Sequence, residues 1–303
     1  MSQFGVTPGL MNIGEEAKPA YAVLPDPISL FRNRSARLRS LAPGHPLESY
    51  LNFAADVTQA QHDIQAGLAE ADLPTAEQIS QALARGMPPL SGDILEPGNS
   101  AVATLTSLLA ALREKDIPQE TARAIESLIK VSSELKVQRI GGALKDLPAD
   151  DVAERVLVLA AMQVHFARLA AMLKADDLHP VADGICPVCG SAPMTSAVVG
   201  WPGAHNTRYC ACSLCGTMWN VVRIKCVLCS STEAIGYEAI EGQPDTVKAE
   251  TCDKCHRYVK VLYQVKDHLL DPLADDVATL GLDMLLAGGD WKRGGQNPFL
   301  LGY

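Results

Sequence analysis

The chain has 303 residues, of which 48% are hydrophobic, 20% are charged and 5% are aromatic, and its formal net charge is −9. A globular chain of this length typically forms about two domains, and no stretch approaches the roughly 18 consecutive apolar residues of a membrane-spanning helix, so we expect no membrane insertion. The acidic balance disfavours nucleic acid as a partner, because proteins that bind phosphates usually present a basic face.

The N-terminal part is predicted to begin with an irregular arm and to continue into a helix. Residues 1–25 carry Gly, Pro and apolar residues without a period, which is typical of such an arm. Asp26 followed by Pro27 indicates a helix start, and apolar residues at helical spacing continue to Leu41, before Pro43 ends the pattern. This helix is basic through Arg32, Arg34, Arg37 and Arg39. We interpret the arginines as a solvated face, with a docking surface for an acidic partner as the alternative.

Further apolar stripes predict that residues 1–180 form an all-helical domain. Additional helices are expected after Pro46, over 102–112 and from Pro118 to near Leu135, with a loop over 86–98. The longest helix is expected to start near Asp150 or Asp151, with Glu154 as its capping-box partner. Its long apolar stripe requires neighbouring helices.

We predict no catalytic residues and no cofactor-binding residues in this helical domain. His62 and His165 lie beside apolar stripes, where a lone histidine is more often structural than a ligand, so both are interpreted as structural.

Residues 186–255 contain all nine cysteines, eight of them in four CxxC pairs. Twenty-two residues lie between the first and second pairs and again between the third and fourth, so adding 40 to each of the first four positions gives the last four. This spacing indicates an internal duplication. A CxxC turn points two sulfurs in one direction, and a second CxxC pair can complete a tetrahedral site. Sequential pairing is favoured over an interleaved cross-brace.

Two tandem metal-binding units of the rubredoxin-like or zinc-ribbon type are therefore predicted over 181–223 and 224–266. The predicted metal ligands are Cys186, Cys189, Cys212 and Cys215 in the first unit and Cys226, Cys229, Cys252 and Cys255 in the second. The same 40-residue offset relates 194–199 to 234–239 and 217–223 to 257–263, stretches rich in β-forming residues. The fold class is thus predicted to be α+β, with each unit formed by a knuckle, a strand, a loop, a knuckle and a strand.

The start of the chain and its crowded cysteines together indicate the cellular compartment in which the protein works. The start of the chain lacks the basic and apolar regions of a secretory signal, so we expect a cytoplasmic protein. In the reducing cytosol, metal ligation is a more natural role for these thiols than disulfide bonding.

A C-terminal helix and tail are predicted over 267–303. Asp271 and Pro272 indicate the helix start, and Gly288 and Gly289 indicate its end. The tail from Asn297 onward is apolar, and we expect it to pack back onto the body, with contact to a partner as the alternative.

Several motifs give the whole chain a family resemblance. They are Cys186-Pro-Val-Cys-Gly190, Cys212-Ser-Leu-Cys215 with Trp219, Val222-Arg-Ile-Lys-Cys226, Lys248-Ala-Glu-Thr-Cys252, Asn297-Pro-Phe-Leu300, Leu24-Pro-Asp-Pro27 and His45-Pro-Leu47. In these motifs the chain closely resembles the formate dehydrogenase accessory proteins, the FdhE family. The resemblance implies a bacterial cytoplasmic assembly factor or chaperone, not an enzyme, which contacts the catalytic subunit of formate dehydrogenase and binds iron through rubredoxin-like cysteines. The eight cysteines of the CxxC pairs would be the ligands, and Cys210 does not match the pattern.

Three questions stay open in the sequence. Tetrahedral thiolate sites accept iron or zinc, and the resemblance favours iron. The two metals can be purely structural or can serve a redox role, so a rubredoxin-like electron-transfer protein or a thiol oxidoreductase is an alternative function. A zinc ribbon that stacks bases on Trp201, Tyr209 and Trp219 is a further and weaker alternative. Cys210 is interpreted as a buried thiol, with an alternative ligand beside Cys212 as the other possibility.

Overall fold

The computed structural model describes residues 19–92, 97–147 and 151–301. Most of the predicted N-terminal arm, the Asp150 alternative for the helix start and the last two residues of the tail lie outside these ranges. In the described residues the chain is helical up to residue 171, strand-rich from 193 to 263 and helical again from 274. This arrangement confirms the predicted α+β fold class. The predicted domain boundaries at 180, 223 and 266 stay a prediction.

Seven helices precede the cysteine units in the described part. They are α1 (Pro27–Leu41), α2 (Glu48–Asp63), α3 (Ala76–Ala84), α4 (Asn99–Arg113), α5 (Gln119–Lys130), α6 (Ser133–Leu144) and α7 (Val152–Ala171). The predicted N-caps of α1 and α7 are present: Asp26 Oδ1 accepts from the Ile28 amide at 3.2 Å, and Asp151 Oδ1 accepts from the Glu154 amide at 3.1 Å. Of the capping box predicted for α7 this is one half, since the Glu154 carboxylate lies 3.7 Å from Arg139. Helix α7 is the centre of this region, since it packs against α1, α2, α4, α5 and α6 and buries most of its length.

The structure differs from the helices expected from the sequence at two places in this region. Helix α3 is not predicted by the sequence analysis, although Thr75 and Gln78 form a capping box at its start. The helix expected from Pro118 to near Leu135 is two helices, because Val131 is extended and Ser132 caps α6 through a bond from the Leu135 amide to its hydroxyl.

The arginines of α1 form the predicted solvated face only in part, since Arg32 and Arg39 are exposed whereas Arg34 and Arg37 are not. Arg34 is buried and pairs with Asp271 at 3.3 Å, and Arg37 pairs with Asp275 at 2.7 Å. The acidic partner of Arg34 and Arg37 is therefore the C-terminal part of the same chain, while Arg39 pairs with Asp56 of α2 at 2.8 Å. Exposed ion pairs contribute little to stability, but the pairs of Arg34 and Arg37 are largely withdrawn from solvent.

The strands of both cysteine units form one continuous sheet together with two short strands, Ala22–Val23 and Lys292–Arg293, from outside the units. They are β1 (Ala22–Val23), β2 (Pro193–Val198), β3 (Arg208–Cys212), β4 (Met218–Val221), β5 (Ile235–Glu238), β6 (Val247–Cys252), β7 (Arg257–Tyr263) and β8 (Lys292–Arg293). The order is β1-β4-β3-β2-β7-β6-β5, and β8 pairs with β7. Strands β3 and β6, which lead into the second knuckle of each unit, are not predicted from the sequence. The units join where β2 runs parallel to β7.

A buried ion pair also joins the two units. Arg208 of β3 donates from Nη1 to Glu250 Oε2 at 2.7 Å and from Nη2 to Glu250 Oε1 at 2.9 Å, and the two side chains are 1% and 3% exposed. Ser196 and Tyr237 complete the network through further hydrogen bonds to this pair. A bidentate pair fixes the relative position of the two strands.

The C-terminal segment joins the sheet through β8 and then returns to the helices. The single predicted helix is two short helices, α8 (Ala274–Ala278) and α9 (Leu280–Leu286), separated at Thr279. The expectation that the tail packs back is confirmed for the described residues, because Phe299 and Leu300 are buried in the main hydrophobic core. Among the described residues, no helix has the length and apolar character needed to cross a membrane.

Candidate metal centres

The structure brings the eight cysteines of the CxxC pairs together in two groups of four. Site 1 contains Cys186, Cys189, Cys212 and Cys215, and site 2 contains Cys226, Cys229, Cys252 and Cys255. In each group all four sulfur atoms lie within 4.8 Å of one another. The grouping is sequential along the chain and not interleaved.

The duplication extends to the backbone of the knuckles. In the first knuckle of site 1 the Cys186 amide donates to Ser191 O at 2.9 Å, and in the first knuckle of site 2 the Cys226 amide donates to Ser231 O at 2.8 Å. The residue after each CxxC pair has a positive φ. It is a glycine twice in site 1, at Gly190 and Gly216, whereas site 2 has Ser230 and His256 at the equivalent positions. The same turn therefore occurs four times. Only in site 1 is the residue with positive φ a glycine, the residue best suited to that conformation.

Site 1 is sealed between the sheet and the helices. All four of its cysteines are buried, and the most exposed of them, Cys189, is 6% exposed. The helical region holds both knuckles: the Leu90 amide donates to Val188 O at 2.8 Å, and Gln163 of α7 donates from Nε2 to Ser213 O at 2.8 Å. Site 1 is therefore part of the main core.

Site 2 lies nearer the surface. Cys226 and Cys252 are buried, but Cys229 and Cys255 are half-buried. The C-terminal segment contacts its second knuckle, since Trp291 Nε1 donates to Asp253 Oδ1 at 2.8 Å and the Lys292 amide donates to His256 O at 2.9 Å.

Both groups fit a tetrahedral metal ion. Metal–sulfur bonds of about 2.3 Å place the sulfurs of a tetrahedron about 3.8 Å apart. Two sulfur pairs lie 3.6 Å (Cys186 with Cys215) and 3.4 Å (Cys189 with Cys212) apart in site 1, and the equivalent pairs of site 2 lie 3.9 Å and 3.7 Å apart. Each cluster can hold one ion, and an all-sulfur donor set suits iron and zinc alike.

Amide groups point at these sulfurs and would stabilise negative charge. In site 1 the Val188 amide lies 3.4 Å from Cys186 Sγ, and the Leu214 amide lies 3.4 Å from Cys212 Sγ. The Thr217 hydroxyl lies 3.2 Å from Cys215 Sγ. Such hydrogen bonds to thiolate ligands tune the charge and potential of a bound ion.

Cys210 belongs to neither group. It lies on β3, pairs across the sheet with Trp219 and Ser196, and is fully buried. Burial is the main cause that raises the pKa of its thiol to about 12. A buried thiol that stays protonated is a poor ligand and nucleophile, in agreement with the interpretation as a structural residue.

The histidines and aromatic residues singled out in the sequence belong to neither cysteine group. His165 is buried on α7, and burial lowers its pKa to about 4, so the ring is neutral near pH 7. His62 contacts the Ile28 carbonyl. Tyr209 and Trp219 are 1% and 3% exposed, so neither offers a free face to a base, whereas Trp201 is half-buried and packs against Tyr209 with ring centroids 5.1 Å apart.

Two residues that support the sites were not predicted. Gln163 lies on the apolar stripe of α7, where a polar side chain is itself a signal of a buried hydrogen bond. Trp291 follows two glycines in a segment without a period, and nothing in the sequence indicates its contact with site 2.

Comparison with known proteins gives a consistent result along the chain. Family models described as "FdhE, N-terminal", "FdhE, central domain" and "FdhE, C-terminal domain" match residues 19–183, 185–223 and 224–300. The chain is 39% identical to the "Protein FdhE homolog" of Rhizobium meliloti (strain 1021) over 306 residues, which covers 100% of both chains. It is 36% identical to the protein of the same name from Serratia proteamaculans (strain 568), over 90% of this chain and 88% of that one.

A solved structure is similar as well. The crystal structure of the FdhE protein from Pseudomonas aeruginosa matches with a TM-score of 0.84 and 30% sequence identity. The match covers 93% of this chain and 99% of the other.

Proposed function

The chain belongs to the FdhE family, and we propose that it is an accessory protein that makes formate dehydrogenase active by binding its catalytic subunit. The observation that carries this proposal is membership of the family over the whole chain, together with the resemblance to formate dehydrogenase accessory proteins. The protein would act by binding and not by turnover.

The two cysteine sites support the proposal as parts of a scaffold. We propose that the eight cysteines hold two metal ions, with iron favoured, and that each ion fixes the turns on which its unit depends. The bidentate Arg208–Glu250 pair then transmits the position of one unit to the other. A client surface formed by several elements keeps its shape only while these elements stay in place.

The test is co-purification of the tagged protein from its own host under conditions that induce formate dehydrogenase. We expect mass spectrometry to identify the formate dehydrogenase catalytic subunit. Its recovery should be reduced in Cys212→Ser and Cys252→Ser variants and unchanged in Cys210→Ala, the matched control outside both sites. Recovery of the protein alone, or with unrelated redox proteins, would contradict the proposal.

One observation favours a second candidate, a rubredoxin-like redox function. Site 2 exposes part of Cys229 and Cys255, and partial exposure of a thiolate ligand permits electron exchange at short distance. Voltammetry of the iron-loaded protein tests it: a reversible couple that disappears in Cys229→Ser would favour this candidate, and the absence of a couple would exclude it.

A further inference from the structure

Residues 291–297, here called the strap, run along site 2 between two anchored regions of the chain. The strap follows a short exposed turn over 287–290 and leads into Phe299 and Leu300, which are buried in the main core. Arg293 of the strap pairs with two carboxylates, one on α8 and one on α9. The strap is therefore tethered through one side chain and through its C-terminal end.

The backbone of the strap bonds to the sheet at three points. The donors are the amides of Lys292, Gly294 and Gln296, and the acceptors are His256 O at 2.9 Å, Tyr258 O at 2.8 Å and Pro193 O at 3.1 Å. Pro193 belongs to the first cysteine unit, and the other two acceptors belong to the second. The Trp291 side chain adds a bond to Asp253 Oδ1 at 2.8 Å. The strap thus spans both units, and three of these four bonds go to the unit of site 2.

Two glycines allow the strap to lie this close to the units. A Cβ added at Gly294 would overlap with the side chain of Leu228, which lies between the two cysteines of the first knuckle of site 2. A Cβ added at Gly295 would overlap with the backbone oxygen of Met194. Because the strap also bonds to the second knuckle of site 2, it contacts both halves of that cysteine group.

The second knuckle presents its acceptor to the strap in a strained conformation. His256, whose carbonyl accepts from the Lys292 amide, has φ of 51°, and this left-handed conformation costs free energy in a residue with a Cβ. An ion bound by Cys252 and Cys255 would hold the turn closed from its other side. When the ion leaves, relaxation of the turn would rotate the His256 carbonyl away from the strap.

From the contacts of the strap with both knuckles, we propose that residues 291–297 respond to the occupation of site 2: the strap lies on the sheet while the site holds its ion and separates from the sheet when the ion is lost. Arg293 keeps the separated strap attached to α8 and α9. The inference rests on the proposed ion at site 2 and is independent of the client. Linkage requires reciprocity, so the factor by which the ion tightens the docking of the strap equals the factor by which the docked strap tightens ion binding.

Hydrogen exchange of the full-length, zinc-loaded protein tests the first direction. Removal of the site 2 ion, by a chelator or by Cys252→Ser, should raise the exchange rate of the strap amides about tenfold or more. Exchange in β2 and β3 of the first unit should stay unchanged, and zinc added back after the chelator should restore protection of the strap. A strap that exchanges at the same rate with and without the ion would overturn the inference.

The rate of zinc release tests the reverse direction. Gly295→Ala forces the strap away from a backbone atom that cannot move aside, and it should accelerate release from site 2 about tenfold. Trp291→Phe keeps an aromatic ring but removes the bond to Asp253, and it should accelerate release about fivefold, as expected for one hydrogen bond. In both variants the rate of release from site 1 should stay unchanged.

Gly288→Ala is the matched control, because an added Cβ there meets nothing within 4 Å although it lies in the turn before the strap. Its release rates should stay within about twofold of those of the unaltered protein. If two zinc ions bind and neither Gly295→Ala nor Trp291→Phe alters release from site 2, the strap inference is wrong while the proposed ions stand. Equal acceleration at both sites would also overturn it, since the strap would then stabilise the whole sheet. If site 2 of the unaltered protein binds no zinc, the proposed ion at that site and the strap inference both fail.

Discussion

The two cysteine sites arise from one repeated sequence pattern but lie in different surroundings. Site 1 is fully buried, and its knuckles are held by α7 and by the segment before α4. Site 2 has two half-buried cysteines, and its second knuckle is held by the short C-terminal segment. The same donor set can thus be part of the core in one copy and a partly exposed surface element in the other.

The residues between the cysteines also differ in exposure between the two sites. In site 1 the residues between the cysteines are buried, with Val188 at 0% exposure and Leu214 at 8%. In the second knuckle of site 2 the corresponding residues are Asp253 and Lys254, both exposed. We infer that site 1 stabilises the contact between the helices and the sheet. Site 2 instead positions the surface formed by its second knuckle and the C-terminal segment that contacts it.

The largest expected difference is between Cys212→Ser and Cys252→Ser. Structural thiolate sites contribute free energy comparable to the whole stability of a domain, about 5–15 kcal/mol, so loss of site 1 should prevent stable folding of the chain. Loss of site 2 should leave the helical region folded and one metal ion per chain. Circular dichroism, thermal unfolding and metal analysis measure this, and equal damage from the two variants would contradict the division of roles.

Removal of Glu250 tests whether the units are joined as one body. Glu250→Ala leaves the buried Arg208 guanidinium without its carboxylate, and such a loss typically costs about 3–5 kcal/mol. Because the pair connects both units, denaturant unfolding should show lower stability for the sheet as a whole. Glu238→Ala, an exposed change on β5, should stay within about 0.5 kcal/mol of the unaltered protein. A normal stability of Glu250→Ala would show that the pair does not join the units.

Local signals predict much of this architecture from the sequence. The four CxxC pairs define both groups through their spacing, and the caps at Asp26 and Asp151 mark the starts of α1 and α7. In each case the interacting groups are near in sequence or related by the repeat. The family resemblance is confirmed along the same chain.

The features that sequence analysis missed depend on contacts between distant residues. The β2–β7 pairing that unites the sheet and the Arg37–Asp275 ion pair connect segments that share no local pattern. The repeat also conceals the difference in burial between the sites, because that difference comes from elements outside the repeat, α7 and the C-terminal segment. The sequence therefore predicts the donor groups but not their accessibility.

Chelator treatment should separate the two proposed ions by rate. A chelator can approach the half-buried Cys229 and Cys255, whereas site 1 opens only when the helical region separates from the sheet. We expect release from site 2 to be at least about tenfold faster, which corresponds to about 1.4 kcal/mol. Metal release followed by a colorimetric dye should show two phases, and Cys229→Ser should lack the fast one. Release of both ions in a single phase would contradict the predicted difference in accessibility between the two sites.

The smallest expected effects come from the residues with positive φ that follow the CxxC pairs. Gly216 has φ of 75°, and an added Cβ would lie 2.8 Å from a methyl group of Leu30, so Gly216→Ala should destabilise the protein by about 1–2 kcal/mol. His256, at the equivalent position, has φ of 51°, and His256→Gly should stabilise it by about 0.5–1 kcal/mol through relief of backbone strain. Thermal unfolding of both variants measures the opposite signs. If both destabilise, His256 contributes a contact at site 2 that outweighs its strained backbone, and the knuckles would be less alike than their repeat implies.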